Sequence, residues 1–284
     1  MYNDDINENV FRETHFSTWN NNLGKNFTDN GEFHQQGMQY KNMETGGAYQ
    51  ASVSGDYGEF TASSVLKSLP DYYAVMDDIL LQTGIKYRLY QPDKYGPSPW
   101  KLIQKKGKIY EEVHKSTQLD HLIVSPFGIF VIETKNHKGW VFGDVNGKVW
   151  TQVLKGDAGW RAYGGHSHYT FFNPVWQNTE HIQHLSKECK IPSKFMTGMI
   201  VFTNPDAHLG NVNCNCCYTL DMLYAAIMSY NNQLFDKRMY DKIIKRIEEK
   251  DSNRYTLEKE HIMYVKDLQH RHEINSMRKR MGLK

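Results

Sequence analysis

Apolar positions along the chain change period several times, and each change marks an element. From Gly58-Glu59-Phe60 onward, Val65, Leu66 and Leu69 recur at helical spacing until Pro70 stops the run, and residues 72–81 then read as a strand. Residues 82–112 hold Pro92, Pro97 and Pro99 followed by a short Lys-rich, hairpin-like stretch, which predicts a long connection or insertion. Two strands follow at 118–124 and 129–135. The stretch around Asn146-Gly147 is flanked by β-type residues and predicts a hairpin with a two-residue turn. Residues 157–172, with three glycines, read as a loop. Asn173-Pro174 pairs an N-cap residue with proline at the first helical position and opens a helix through about Lys190. An apolar strand at 195–203 and helices at 221–230, 237–249 and 258–280 complete the pattern, without internal repeats.

This order predicts an α/β domain, a mixed sheet core flanked by helices, over residues 55–230, with a basic helical extension at 231–284. Residues 1–54 are rich in Asn, Gln, Gly and Thr and show no period, so they are expected to form a variable arm ordered only by a partner.

The most informative stretch is Gln118-Leu119-Asp120-His121-Leu122-Ile123-Val124, then Ser125-Pro126-Phe127-Gly128, then Ile129 to Lys135. Proline at the second position and glycine at the fourth suit a tight turn. Pairing Val124 with Ile129 sets Leu122 opposite Val131, Asp120 opposite Glu133 and Gln118 opposite Lys135, all on one face. Two carboxylates facing each other repel unless a cation joins them. A hard divalent ion, Mg²⁺ or Mn²⁺, would take oxygens from Asp120, Glu133 and the Thr134 carbonyl, and Lys135 would orient a water or neutralise a phosphate. The competing reading is an exposed hairpin face with an ordinary Glu/Lys pair. The apolar runs on both strands speak against it, because they bury both faces and make unpaired charge expensive.

Composition narrows the function classes. Apolar residues make up 39% and aromatics 13%, so the mean hydropathy of −0.67 reflects many polar residues rather than a missing core. The acidic opening is neither a secretory signal nor a basic presequence, and no apolar run is long enough to span a membrane, so a cytoplasmic protein is expected. The overall charge of +2 hides an asymmetry, with the first 54 residues acidic and the last 54 basic. The basic end suits a polyanion, although a solvated helical surface has the same composition. Cys214, Cys216 and Cys217 crowd together, with Cys189 apart; they read as reduced cysteines at a loop or strand edge, a metal role with nearby His208 being the lesser alternative.

Taken together, Gly58-Glu59, the Gln-x-Asp-His strand, Gly128 to Asn136, Gly139, Trp150 and Asn173-Pro174-x-x-Gln177 resemble the nuclease-related domain family, which is grouped with the restriction-endonuclease-like nucleases. That resemblance implies Asp120, Glu133 and Lys135 as the core site, Glu59 as an added acidic metal ligand, and Gln177 as a polar catalytic group. Taken alone, Glu59 is also an ordinary first-turn acid. Gln177 lies in a first turn whose free N–H groups could meet a phosphate. His121 alternates away from Asp120 and reads as a hydrogen-bonded core histidine. Gln177, His181 and His184 share a helical stripe that reads first as an exposed polar face and second as a cleft wall. His166 and His168 could bind metal, but a Gly-rich loop gives them no fixed geometry.

The implied activity is phosphodiester hydrolysis with Mg²⁺ or Mn²⁺, on DNA in preference to RNA, alone or within a DNA-processing or antiphage complex. Protein partners or self-association would use the N-terminal arm or the C-terminal helices. The alternative is a nucleic-acid-binding or assembly module that keeps the fold without turnover.

Overall fold

The structure is a computed structural model, and it describes residues 47–155, 166–252 and 254–283, the side chains of 47–54, 155 and 166 excepted. Among the described residues, the compact unit Gln50–Lys284 holds both sheets and the candidate site.

Among the described residues, ten strands form two sheets. The first helix, α1 (Gly47–Leu66), begins eleven residues before Gly58, and β1 (Ala74–Leu89) runs eight residues past Leu81. Next come a short helix α2 (Pro92–Tyr95), β2 (Lys101–Lys105) and β3 (Lys108–Ser125). The expected connection at 82–112 is therefore mostly strand. Its outer half escaped the periodicity because residues 84–87 are exposed on both faces and do not alternate. The β2–β3 turn is Lys106-Gly107, both at positive φ, the conformation favoured by two-residue hairpins.

β4 (Gly128–Lys135) returns antiparallel along β3 and lies parallel to β8 (Met196–Phe202), which pairs in parallel with β10 (Cys217–Thr219). The main sheet runs β1-β3-β4-β8-β10, with β2 on the far half of β3. A second sheet, in the order β7-β6-β5-β9, contains β5 (Gly139–Gly143), β6 (Val149–Lys155), β7 (His166–Phe172) and β9 (Ala207–Val212). The β5–β6 hairpin forms as expected. Its loop is longer than the two residues around Asn146-Gly147, because pairing ends at Phe142↔Thr151 and Asp144 closes a turn onto Gly147. The part of the expected 157–172 loop that is described is largely β7, while 156–165 lie outside the described residues.

Helices cover both faces of the main sheet, which explains the continuous apolar runs of β3 and β4. On one face α3 (Pro174–Cys189) and α5 (Lys237–Asp251) bring Leu185, Ile243 and Ile247 against Leu122, Val124, Ile129 and Val131. On the other, α1 and α4 (Leu220–Met228) bring Ala62, Leu66, Leu223 and Ile227 against Ile123, Phe130, Ile132 and Val201. Each such side chain removed from water contributes about 1.5–3 kcal/mol. The amide of buried Asn178 in α3 donates to the carbonyls of Val131 (2.9 Å) and Met199 (3.1 Å), fastening the helix across β4 and β8.

The C-terminal helices pack onto this core. α6 (Arg254–Arg280) is held to β1 and β3 by a buried charge network: Glu111 accepts from Arg88 (2.6 Å) and Arg271 (2.8 Å), while Asp267 accepts from both arginines and from the Trp100 indole (3.2 Å). Each buried carboxylate thus has two guanidinium partners, the condition under which burying charge is tolerable. Among the described residues, no helix is long and apolar enough to cross a membrane.

Candidate functional site

The β3–β4 hairpin closes at Ser125↔Gly128 and runs through Val124↔Ile129 and Leu122↔Val131 to His121↔Ile132, the register read from the sequence. Beyond that pair the ladder stops. Asp120 does not face Glu133 as an ordinary ladder partner; its Oδ2 accepts hydrogen bonds from the Thr134 amide (2.7 Å) and the Thr134 hydroxyl (2.8 Å). Gln118 does not reach Lys135 either, because its amide donates to Asp78 of β1. On the other side of β3, in β1, Asp78 takes a left-handed φ of 60° between the pairs Asp77↔His121 and Ile79↔Leu119. A non-glycine residue in that region needs compensation. Here Gln118 and Arg254 of α6 both bond to its carboxylate.

Glu133 lies one position past the end of the ladder and is 1% exposed. Lys135 Nζ donates to its Oε1, and His181 Nε2 of α3 stands 3.2 Å from its Oε2. Burial works against the Glu133 charge, but the lysine and the histidine outweigh it and hold its pKa below the ordinary value. Lys135 also donates to Gln177 Oε1 (3.3 Å), and His181 Nδ1 is fixed by the Thr117 hydroxyl (2.7 Å). Gln177 and His181 therefore form one wall of the site rather than an exposed polar face. Helical spacing shows that residues four apart share a face; only the packed sheet decides which face is covered. The helix N-terminus is less open than expected: Pro174 has no N–H, the Val175 amide is capped by the Asn173 side chain (2.9 Å), and the Gln177 amide bonds to the Asn173 carbonyl.

Glu59 enters from α1. Gly58 lets the helix approach, since a Cβ there would stand 2.7 Å from Thr203 Oγ1 and 2.8 Å from Asn136 Cβ at the ends of β8 and β4. Burial, the charge of Asp120 and other acids push Glu59 up to about 7. Asp120 is likewise raised, first by burial and then by Glu133, against the bonds from Thr134 and the charge of Lys135. His121 is a hydrogen-bonded core histidine, as its alternation predicted: Nδ1 bonds to Asp77 (2.8 Å), which also accepts from Ser63 (2.6 Å) and Lys67 (2.8 Å).

Two carboxylates are thus held against their preference for ionisation, beside a third that is paired with the Lys135 ammonium. That unmet demand for positive charge fits a hard divalent cation, with oxygens available from Glu59, Asp120, Glu133 and Thr134. The three acids are not drawn into one compact cluster; among the described residues the group whose donor atoms all lie within 4.8 Å of one another is Cys214, Cys216 and Cys217. Cys214 and Cys216 are joined as a disulfide, which corrects the expectation of reduced cysteines, while Cys217 sits in the short strand β10. His208 is not part of that cluster and packs on Trp140. His168 lies in β7, paired with Val153, away from the acids' strands, and the His166 side chain is outside the described residues. Sequence reasoning missed Thr117, Asp77 and Asp78, because nothing in local spacing says which strand a polar residue will meet.

The family described as "Nuclease-related domain" matches residues 54–203, which hold Glu59, Asp120, Glu133, Thr134, Lys135, Gln177 and His181. An uncharacterized protein of Bacillus anthracis is 35% identical over 75 residues, 26% of this chain. The matched segment spans 31% of that relative's own length. No solved structure matches the chain.

Proposed function

The chain belongs to the nuclease-related domain family, and on that footing we propose that it is a Mg²⁺- or Mn²⁺-dependent nuclease that hydrolyses phosphodiester bonds in DNA. The observation that carries this reading is that Asp120 raises Glu59 and Glu133 raises Asp120, so two acids are pushed toward the neutral form beside a third that accepts from Lys135. Asp120, Glu133 and the Thr134 carbonyl, with Glu59 from α1, would hold the ion, and when bound it would supply Lewis acidity and lower the pKa of coordinated water.

The remaining steps belong to the chain. Thr134 keeps Asp120 in one orientation through two donors, so the carboxylate need not reorganise when substrate arrives. Gln177 and Glu133 hold the Lys135 ammonium at the site, where it neutralises a non-bridging phosphate oxygen and orients the attacking water. His181, fixed by Thr117, limits where the Glu133 carboxylate can turn. The exposed basic side of α5, with Arg238, Lys242 and Lys245, is suited to hold the backbone without reading sequence.

A second reading rests on a specific contact. Glu133 already accepts from the Lys135 ammonium, which suits a nucleic-acid-binding module without turnover. One experiment separates the two: incubate the protein with labelled single-stranded DNA, duplex DNA and RNA, in Mg²⁺, Mn²⁺ or chelator, beside Asp120→Asn and Glu133→Gln. Metal-dependent cleavage of DNA by the parent and none by the variants is expected. Cleavage by Glu133→Gln at the parental rate sinks the site, and a parent that binds DNA but never cuts it establishes the second reading.

A further inference from the structure

Cys214, Cys216 and Cys217 lie outside the acidic site and take no part in it. Their three sulfur atoms stand within 4.8 Å of one another against Val141, Ile200, Phe202 and Ala207. The Cys214–Cys216 bond spans two residues of sequence, and a bridge closing so small a loop removes little freedom from the unfolded chain. It also gives no reason for the third sulfur. A thiophilic cation accounts for all three: with metal–sulfur bonds of about 2.3 Å, three thiolates around one ion sit roughly 4 Å apart. The Cys216 amide donates to Cys214 Sγ at 3.2 Å, so the backbone of this short segment turns back on its own sulfur.

We propose that Cys214, Cys216 and Cys217 form a site for one thiophilic d¹⁰ cation, Zn²⁺ or Cu⁺, and that the Cys214–Cys216 disulfide is its oxidised, metal-free form. No imidazole or carboxylate completes the cluster among the described residues, so the coordination is three sulfurs with the next position open. Softness selects against Mg²⁺ and Mn²⁺, which keeps this site distinct from the acidic one. Binding displaces the thiol protons into solvent. Opening the disulfide takes two electrons and two protons, which a phosphine and water supply as the phosphine becomes its oxide. The ion would fasten residues 214–217 beside β8: Cys217 pairs with Ile200, and Ile200 pairs on its other side with Glu133.

The test uses the full chain, reduced with a phosphine and desalted without oxygen, titrated separately with Zn²⁺ and with Cu⁺ against chromophoric chelators. Cd²⁺ serves as a third probe, because its thiolate charge-transfer absorption counts the sulfurs. One ion per reduced chain is expected and none per oxidised chain. Cd²⁺ absorption should correspond to three thiolates and fall to two in Cys217→Ser, with affinity at least tenfold lower. Cys189→Ser, which alters a buried cysteine in another part of the core, should bind as the parent does. The arm with the tighter stoichiometric binding identifies the ion. Absence of stoichiometric binding by the reduced parent overturns the proposal, as does a Cys217→Ser chain that binds as tightly as the parent. Neither result bears on cleavage at the acidic site.

Discussion

Replacing Lys135 by Met should destabilise the metal-free protein through Glu133. The side chain of Glu133 is 1% exposed and that of Lys135 19% exposed, so the pair is shielded from water. Removing one partner of a buried pair costs about 3–5 kcal/mol, because the remaining charge is left uncompensated. Here His181 stays 3.2 Å from the other oxygen and Glu133 can take up a proton, so the loss should fall at the low end, about 3 kcal/mol. For a chain of this size that is a fall in Tm of roughly 6–12 °C. Thermal unfolding in chelator would be measured for Lys135→Met, Glu133→Gln and the double variant. The double variant should lose less than the sum of the singles, by about 1–3 kcal/mol, since neutralising Glu133 removes the reason for the penalty. Added Mn²⁺ should restore more stability to Lys135→Met than to the parent, because a cation then fills the ammonium's electrostatic role, while cleavage stays lost. A Lys135→Met protein within about 0.5 kcal/mol of the parent would refute the view that this lysine holds Glu133 ionised.

The raised pKa of Glu59 predicts a pH dependence. Its folded pKa of about 7 lies above its ordinary value of 4.5, so its contribution is fully present below about 4.5 and lost as pH rises through 7. In chelator, Tm should therefore decline across that window, and Glu59→Gln should flatten the decline and be the more stable chain at pH 8. Gly58→Ala gains about 1 kcal/mol of helix propensity but forces a Cβ within 2.8 Å of Asn136 and Thr203, the residues just past β4 and β8, at a cost of about 1–3 kcal/mol. A net loss of Tm is expected, and a more stable variant would show that α1 sits farther from the sheet. Asn173→Ala removes the α3 cap and three donor contacts to the carbonyls of Asp144, Val145 and Gly147, so about 2 kcal/mol should be lost in chemical denaturation. If α5 contacts DNA, changing Arg238, Lys242 and Lys245 to Gln should lower the salt slope of binding by about 2–3, with Arg246 left in place because it bonds to the Lys190 carbonyl at the end of α3. An unchanged slope would return those side chains to a solvated surface.

The sequence by itself determined the parts whose cause is local. Asn173-Pro174 set the start of α3 because cap and proline act within one turn, and Ser125-Pro126-Phe127-Gly128 fixed the β3–β4 register because a tight turn leaves the flanking residues one pairing. Asp120, Glu133 and Lys135 were therefore legible as neighbours. What the hairpin could not reveal was that its ladder ends at His121↔Ile132, or that Gln118 bonds instead to Asp78 on another strand, which Arg254 of α6, 176 residues away, also holds. The length of β1, the three-residue strand β10 and the inward turn of His181 were decided the same way. An exposed strand end does not alternate, and a three-residue strand is too short to show a period. A polar helical stripe has no preferred side until a sheet covers it. The Cys214–Cys216 bond belongs with these: composition put three thiols in four positions, but only the packing of that segment against β8 brought their sulfur atoms together. Local hydrogen bonding and turn geometry are written in neighbouring residues, whereas burial of a charge depends on which distant element excludes the water around it.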